Sequence, residues 1–168
     1  MLFRSSAFAE KDVSGAKQIL PPPPPGNRPA AGQNPPPSPQ APGDEKSFLE
    51  DVYRWEVTCI DLKTGGELWK QVAYHGTPRI KKHPMNTYAN ETPVTDGKRV
   101  IACFGMTGVF CYDMNGRLMW QKDLGAFPTQ RDWGTGSSPV LYNDVLYLKV
   151  DNDSASFMVA LDTASGEE

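Results

Sequence analysis

Three copies of one short motif constrain this chain more than anything else in it. Cys59-Ile60-Asp61-Leu62-Lys63-Thr64-Gly65-Gly66-Glu67-Leu68-Trp69 returns as Cys111-Tyr112-Asp113-Met114-Asn115-Gly116-Arg117-Leu118-Met119-Trp120, then as Ala160-Leu161-Asp162-Thr163-Ala164-Ser165-Gly166-Glu167-Glu168. Each copy runs from a small residue through an apolar residue and an Asp to a Gly-bearing turn, and the first two end on Trp. On the first copy's spacing the third Trp belongs at about position 170, so the chain reads as a piece of a longer repeat array.

A second marker keeps the same order: Glu91-Thr92-Pro93-Val94 is echoed by Ser137-Ser138-Pro139-Val140. Both markers repeat at roughly 50 residues, the period of a propeller blade. Within the complete middle unit, Glu91 to Val94, Lys98 to Phe104, Val109 to Met114 and Arg117 to Leu124 read as four short strands. Asp96-Gly97 and Asn115-Gly116 separate them as two-residue hairpin signals. The third unit repeats the pattern over Ser138 to Asp162, with Asn143-Asp144 at its first turn. The first unit shows only its last two strands, near Tyr53 to Leu62 and Glu67 to Tyr74. The expectation is an all-β partial β-propeller of four-stranded antiparallel blades, a little over two blades in extent. Its parts are a partial blade at 52–74, a full blade at 91–124 and a partial blade at 137–168.

The pattern Ala-x-Asp-x-x-Thr-Gly-x-x-x-Trp resembles the tryptophan-docking repeat of the PQQ-like, quinoprotein-type β-propellers. Residues 59–69 match with Cys59 in place of Ala, residues 111–120 with Cys111 in place of Ala and one turn residue fewer, and residues 160–168 as far as they go. The resemblance covers about residues 52–168 and speaks to fold. Quinoprotein alcohol dehydrogenases and noncatalytic propellers share it, so it does not choose an activity.

The motif residues also have roles that physical chemistry alone suggests. A small side chain at 59, 111 and 160 suits close packing between blades. Asp61, Asp113 and Asp162 can accept hydrogen bonds from the tight turns that follow them. The indoles of Trp69 and Trp120 offer apolar plates with one N–H donor, suited to wedging between blades and capping a carbonyl. These five residues are therefore read as structural docking positions.

The first fifty residues contain eleven of the sixteen prolines, including Pro21 to Pro25 and Pro35 to Pro37. Such a segment cannot bury enough apolar surface to offset the entropy of ordering it. Residues 20–46 are read as a disordered Pro-rich linker and 47–168 as the propeller repeats. Within 1–19, Ala7-Phe8-Ala9 resembles the end of a secretory signal whose charged and apolar parts are incomplete here, which points to an exported protein of the periplasm or cell envelope. No apolar run approaches the ~20 residues of a membrane helix.

Seventeen Lys and Arg against twenty Asp and Glu leave a net charge of −3, which argues against a nucleic-acid or anionic-membrane surface. The three cysteines, Cys59, Cys103 and Cys111, show no zinc spacing and no Cys-x-x-Cys. A Gly105–Gly108 loop would pair Ala102 with Cys111 and Cys103 with Phe110. A three-residue loop would set the two thiols opposite one another, and the sequence leaves both registers open.

In a four-stranded blade, the loops to the next blade share a rim with the loop between the two middle strands. That rim collects His75, Lys81, His83, Asn86, Tyr88, Arg131, Asp132 and Trp133, the candidate binding groups. Asp132 to Ser138 is the foremost single stretch, although Gly and Ser before a strand are also ordinary loop residues. No catalytic constellation is visible, and both histidines fall in one loop. A family oxidoreductase would use a carboxylate base, calcium, an aromatic plate against its quinone and commonly an adjacent Cys-Cys pair, which this chain lacks. The sequence therefore favours a noncatalytic scaffold, without cofactor, metal or catalytic residue, that presents loops to a protein or saccharide partner and packs against the remaining blades of a longer chain. The alternative is a fragment of an exported PQQ- and calcium-dependent oxidoreductase.

Overall fold

The computed structural model describes residues 1–9 and 47–168, which leaves the Pro-rich stretch at 20–46 and most of the 1–19 segment outside the described residues. Three antiparallel sheets follow one another along the chain. The first contains β1 (Leu2–Ala9), β2 (Tyr53–Ile60) and β3 (Glu67–Gly76). The second contains β4 (Val94–Thr95), β5 (Arg99–Cys103), β6 (Val109–Asp113) and β7 (Leu118–Lys122). The third contains β8 (Val140–Tyr142), β9 (Val145–Val150) and β10 (Phe157–Asp162). Among the described residues, apart from one turn of α-helix at Ser47–Glu50 and two of 3-10 helix, every regular element is a strand. The fold is all-β, a partial β-propeller with one four-stranded blade flanked by two three-stranded sheets.

Residue alternation builds this arrangement. Along β5 and β6, Val100, Ala102, Phe110 and Tyr112 join a core shared with Tyr53, Trp55 and Val57 of the first sheet. The intervening Ile101, Cys103, Val109 and Cys111 join a second core with Leu146, Leu148, Val159 and Leu161 of the third. Successive strand residues point to opposite faces, so a strand apolar at every position is one buried on both sides. The middle blade is sandwiched, and its strands read as continuous apolar runs for that reason.

The same junction chemistry appears at both blade boundaries. The Trp69 indole N–H donates to the Met114 carbonyl at 3.0 Å, and the Trp120 N–H donates to the Thr163 carbonyl at 2.9 Å. Each indole lies flat against the turn glycine of the next sheet. A Cβ on Gly116 would come within 2.8 Å of Trp69, and one on Gly166 within 2.7 Å of Trp120. Those glycines also sit at φ +84° and +74°, so hydrogen is the side chain both sites accommodate. The Asp of each motif holds its turn: Asp61 Oδ1 accepts from the N–H groups of Lys63 and Thr64, Asp113 Oδ1 from Asn115 and Arg117, and Asp162 Oδ1 from Ala164 and Ser165. Across the first boundary, Arg79 adds an ion pair to Asp123 at 2.9 Å and a bond to the Met106 carbonyl at 3.1 Å.

Three local expectations need correction. Asp96-Gly97 and Asn115-Gly116 do not form two-residue hairpins, since Thr95 to Arg99 and Asp113 to Leu118 are spanned by three and four residues. Only the Gly of each pair has positive φ. The Asp carboxylates at 96 and 113 collect the turn N–H groups, and that favours a wider loop. The Cys103 hairpin follows neither expected register. Ala102 pairs with Phe110 and Cys103 with Val109, because Phe104 closes the loop by donating its N–H to the Gly108 carbonyl at 2.9 Å. Cys111 pairs with Ile101, and all three cysteines are free and buried. Finally, the first sheet has a third strand that the repeat pattern did not reveal: β1 pairs with β2 from Leu2↔Ile60 to Ala9↔Tyr53.

Candidate functional site

Three connections meet on one rim: the β5–β6 loop, the β7–β8 loop and the β9–β10 loop. They enclose a cavity of about 440 Å³ between the second and third sheets. Hydrogen bonds tie these loops to one another and to the segment before β4. Asp153 N–H donates to the Pro128 carbonyl at 3.1 Å, Asn90 Nδ2 donates to the Thr135 carbonyl at 2.9 Å, and Thr92 N–H donates to Ser138 Oγ at 2.9 Å. Gly105, at φ +39°, packs so closely that a Cβ there would collide with the Thr135 side chain.

Glu91 lines this cavity and is only 2% exposed. Burial pushes its carboxyl pKa up, opposed by the Thr135 hydroxyl and by the N–H groups of Glu91 and Asn90. Cys103 lies in the same lining, and burial, with the nearby Glu91 charge, pushes its thiol up to about 12. Such a thiol stays protonated and is a poor nucleophile. On the cavity's other wall, Lys149 is paired with Asp151 at 2.7 Å.

The mouth is shaped by the turn at 129–134. Asp132 N–H donates to the Thr129 carbonyl, Trp133 N–H to the Gln130 carbonyl, and Gly134 N–H to Thr129 Oγ1 at 2.8 Å. Arg131 and Asp132 both have positive φ, 53° and 56°. Consecutive side-chain-bearing residues in that region cost roughly 1–3 kcal/mol each and persist where surroundings hold them. Here Asn86 Nδ2 donates to the Trp133 carbonyl at 2.7 Å, His83 N–H reaches the same oxygen at 3.5 Å, and Lys81 Nζ lies 3.7 Å from Asp132 Oδ2. The strained turn ends on Trp133, whose side chain lines the cavity and remains 55% exposed.

The eight rim residues singled out from the sequence thus divide. Lys81, His83, Asn86, Asp132 and Trp133 meet at this turn, with Arg131 inside it, but Trp133 alone of the eight lines the cavity. His75 lies on β3 opposite Arg54. Tyr88 is buried in the core between the first two sheets, where its carbonyl accepts the Trp55 indole N–H at 3.0 Å. Burial raises its phenol well above the ordinary value. Lys82 lies 5.3 Å from the centre of the Tyr88 ring, and burial lowers its pKa.

Sequence reasoning missed Glu91, Cys103 and Lys149 as lining, and it placed the loop of Asp153 on the rim without singling that residue out. One signal pointed to Glu91: it occupies the marker position that Ser137 fills in the next unit, a carboxylate where the repeat tolerates a small neutral residue. The other three lie within strands or at a loop tip and become neighbours only when two sheets meet.

No family model matches the chain, and no curated protein matches it. Among solved structures, a europium-containing methanol dehydrogenase aligns with 69% of this chain at 12% identity and a TM-score of 0.43. The chain spans about 22% of that protein's length. The all-β assignment rests on the three sheets and the two equivalent junctions between them.

Proposed function

We propose that this chain is part of a noncatalytic β-propeller that binds a protein or saccharide partner through the rim of the second and third blades. One observation carries the reading: an exposed Trp133 on a strained, hydrogen-bonded turn borders a concave site of ligand size. Neither the exposure nor the strain contributes to folding, whereas both suit a preformed contact surface. The remaining blades of a longer chain are the other expected partner, packing on the third sheet. The test places a photo-crosslinking amino acid at Gln130 in the expressed protein and follows both crosslinked partners and ligand binding. The rim reading predicts occupancy at Gln130 and none from a control site on β3, and equal signal from both would overturn it.

The second reading, a fragment of an exported PQQ-dependent oxidoreductase, is favoured by one feature, the convergence of the Glu91 carboxyl and the Trp133 ring on a single cavity. On this reading the calcium ligands and the catalytic base come from other blades of a longer chain. Dye-linked alcohol oxidation by the longest natural form, supplied with the quinone and calcium, would decide for this reading.

Export to the periplasm or cell envelope belongs to the same proposal and rests on Ala7-Phe8-Ala9. Among the described residues no helix is long and apolar enough to cross a membrane. Ala7 and Ala9 are also the β1 residues opposite Trp55 and Tyr53, so the mature N-terminus decides between two outcomes: a start at Glu10 supports export, and a retained residue 1 keeps β1 in the first sheet and counts against it.

A further inference from the structure

We infer that the cavity takes a saccharide unit, one sugar face stacked on the Trp133 indole and its hydroxyls bonded to Gln130, Ser137 and Asp153. This inference rests on the rim-binding reading and narrows it to one ligand class. The chemistry begins with what a sugar ring demands. Its C–H face needs a flat apolar plate, and its hydroxyls, each both donor and acceptor, need edge groups of both kinds.

The lining meets that demand. Trp133 is the exposed plate, held from behind by bonds to its own backbone N–H and carbonyl, so its indole N–H and ring stay uncommitted. Gln130 offers an amide with donors and an acceptor, Ser137 a hydroxyl, and Asp153 a carboxylate able to accept from two adjacent hydroxyls. Within the described residues none of these three side chains makes a hydrogen bond or ion pair. By contrast, the Asn152 amide in the same lining is already committed to its own loop, bonding Ser154, Ala155 and the Val150 carbonyl. The free polar groups are thus gathered with the free aromatic ring.

Size and charge agree. A volume of about 440 Å³ lies within the range of roughly 300–1,000 Å³ typical of small-ligand pockets. The one lysine of the lining is paired with Asp151, and the buried carboxyl of Glu91 is shifted toward its neutral form. An anionic ligand would face Asp153 without a free cation in the lining to meet it.

The experiment titrates the full chain with a panel of neutral mono- and oligosaccharides of hexoses and N-acetylhexosamines, reading heat of binding and indole fluorescence. The expected result is saturable binding of one sugar class with a shift of the exposed indole's emission. Trp133→Ala should weaken it at least tenfold, Trp133→Tyr should restore part of it, and Asp153→Asn should weaken it severalfold, all with an unchanged melting temperature. Absence of binding across the panel overturns the inference, as does undiminished binding by Trp133→Ala. If the panel fails while the Gln130 crosslinker captures a protein, the saccharide assignment falls and rim binding stands. If both fail, the rim reading falls with it.

Discussion

Trp69 and Trp120 show how a single side chain joins two sheets. Each indole contributes apolar contact, one hydrogen bond to a carbonyl of the next turn, and a flat surface that a turn glycine fits against. Truncating either to Ala removes all three, and urea unfolding should register a loss of about 3–5 kcal/mol. Trp133→Ala, which removes only an exposed ring, should stay within about 0.5 kcal/mol of the parent. Similar losses for all three would refute the distinction between docked and presented indoles. The turn aspartates make a second prediction. Backbone N–H bonds, from Thr64 to Asp61, Arg117 to Asp113 and Ser165 to Asp162, hold these carboxyls below the ordinary value. A depressed folded-state pKa means that their stabilisation is complete above the unfolded value, about 3.9, and is lost as pH falls through the lower folded values. Melting temperature against pH should therefore fall below about pH 4, and Asp113→Asn should flatten part of that fall. At this scale the motif residues were legible, because an Asp-turn-Gly-Trp run carries its local hydrogen bonding in its own spacing. Glu91 was not, since its burial depends on the Thr135 loop arriving from forty-odd residues away.

Among the elements, β1 is the informative one. Residues 10–52 connect two strands that lie side by side, with Ala9 opposite Tyr53. Replacing residues 12–50 with a short Gly- and Asn-containing turn should preserve the sheet and leave the melting temperature within a few degrees. Deleting residues 1–9 should instead expose the β2 edge and remove the Phe3–Trp69 ring contact at 6.0 Å, lowering the melting temperature and promoting aggregation. A harmless deletion of residues 1–9 would refute the role assigned to β1. Strands β5, β6, β9 and β10 could be read from apolar runs bounded by turn residues. The pairing of β1 with β2 could not, because pairing across a long connection leaves no periodic trace in the intervening sequence.

At the scale of the whole molecule, the third sheet presents an apolar face. Tyr142 and Met158 are 67% and 69% exposed, Val140 and Tyr147 add to the face, and β10 is the sheet's outer strand. The equivalent face of the middle blade, around Ile101 and Cys111, is fully covered by the third sheet. The expressed chain should therefore self-associate, and sedimentation velocity should show concentration-dependent species that Tyr142→Asp with Met158→Asp reduces. A monodisperse parent would count against this. The sequence by itself determined the all-β class and the carboxylate bonding of the turns after Asp61, Asp113 and Asp162, because each is written in contacts between residues a few positions apart. Only the tertiary structure decided that residues 2–9 complete the first sheet, that Tyr88 belongs to a core, and that Trp133 shares a cavity with Glu91. Those relations depend on which distant segments meet, and local spacing carries no record of that meeting.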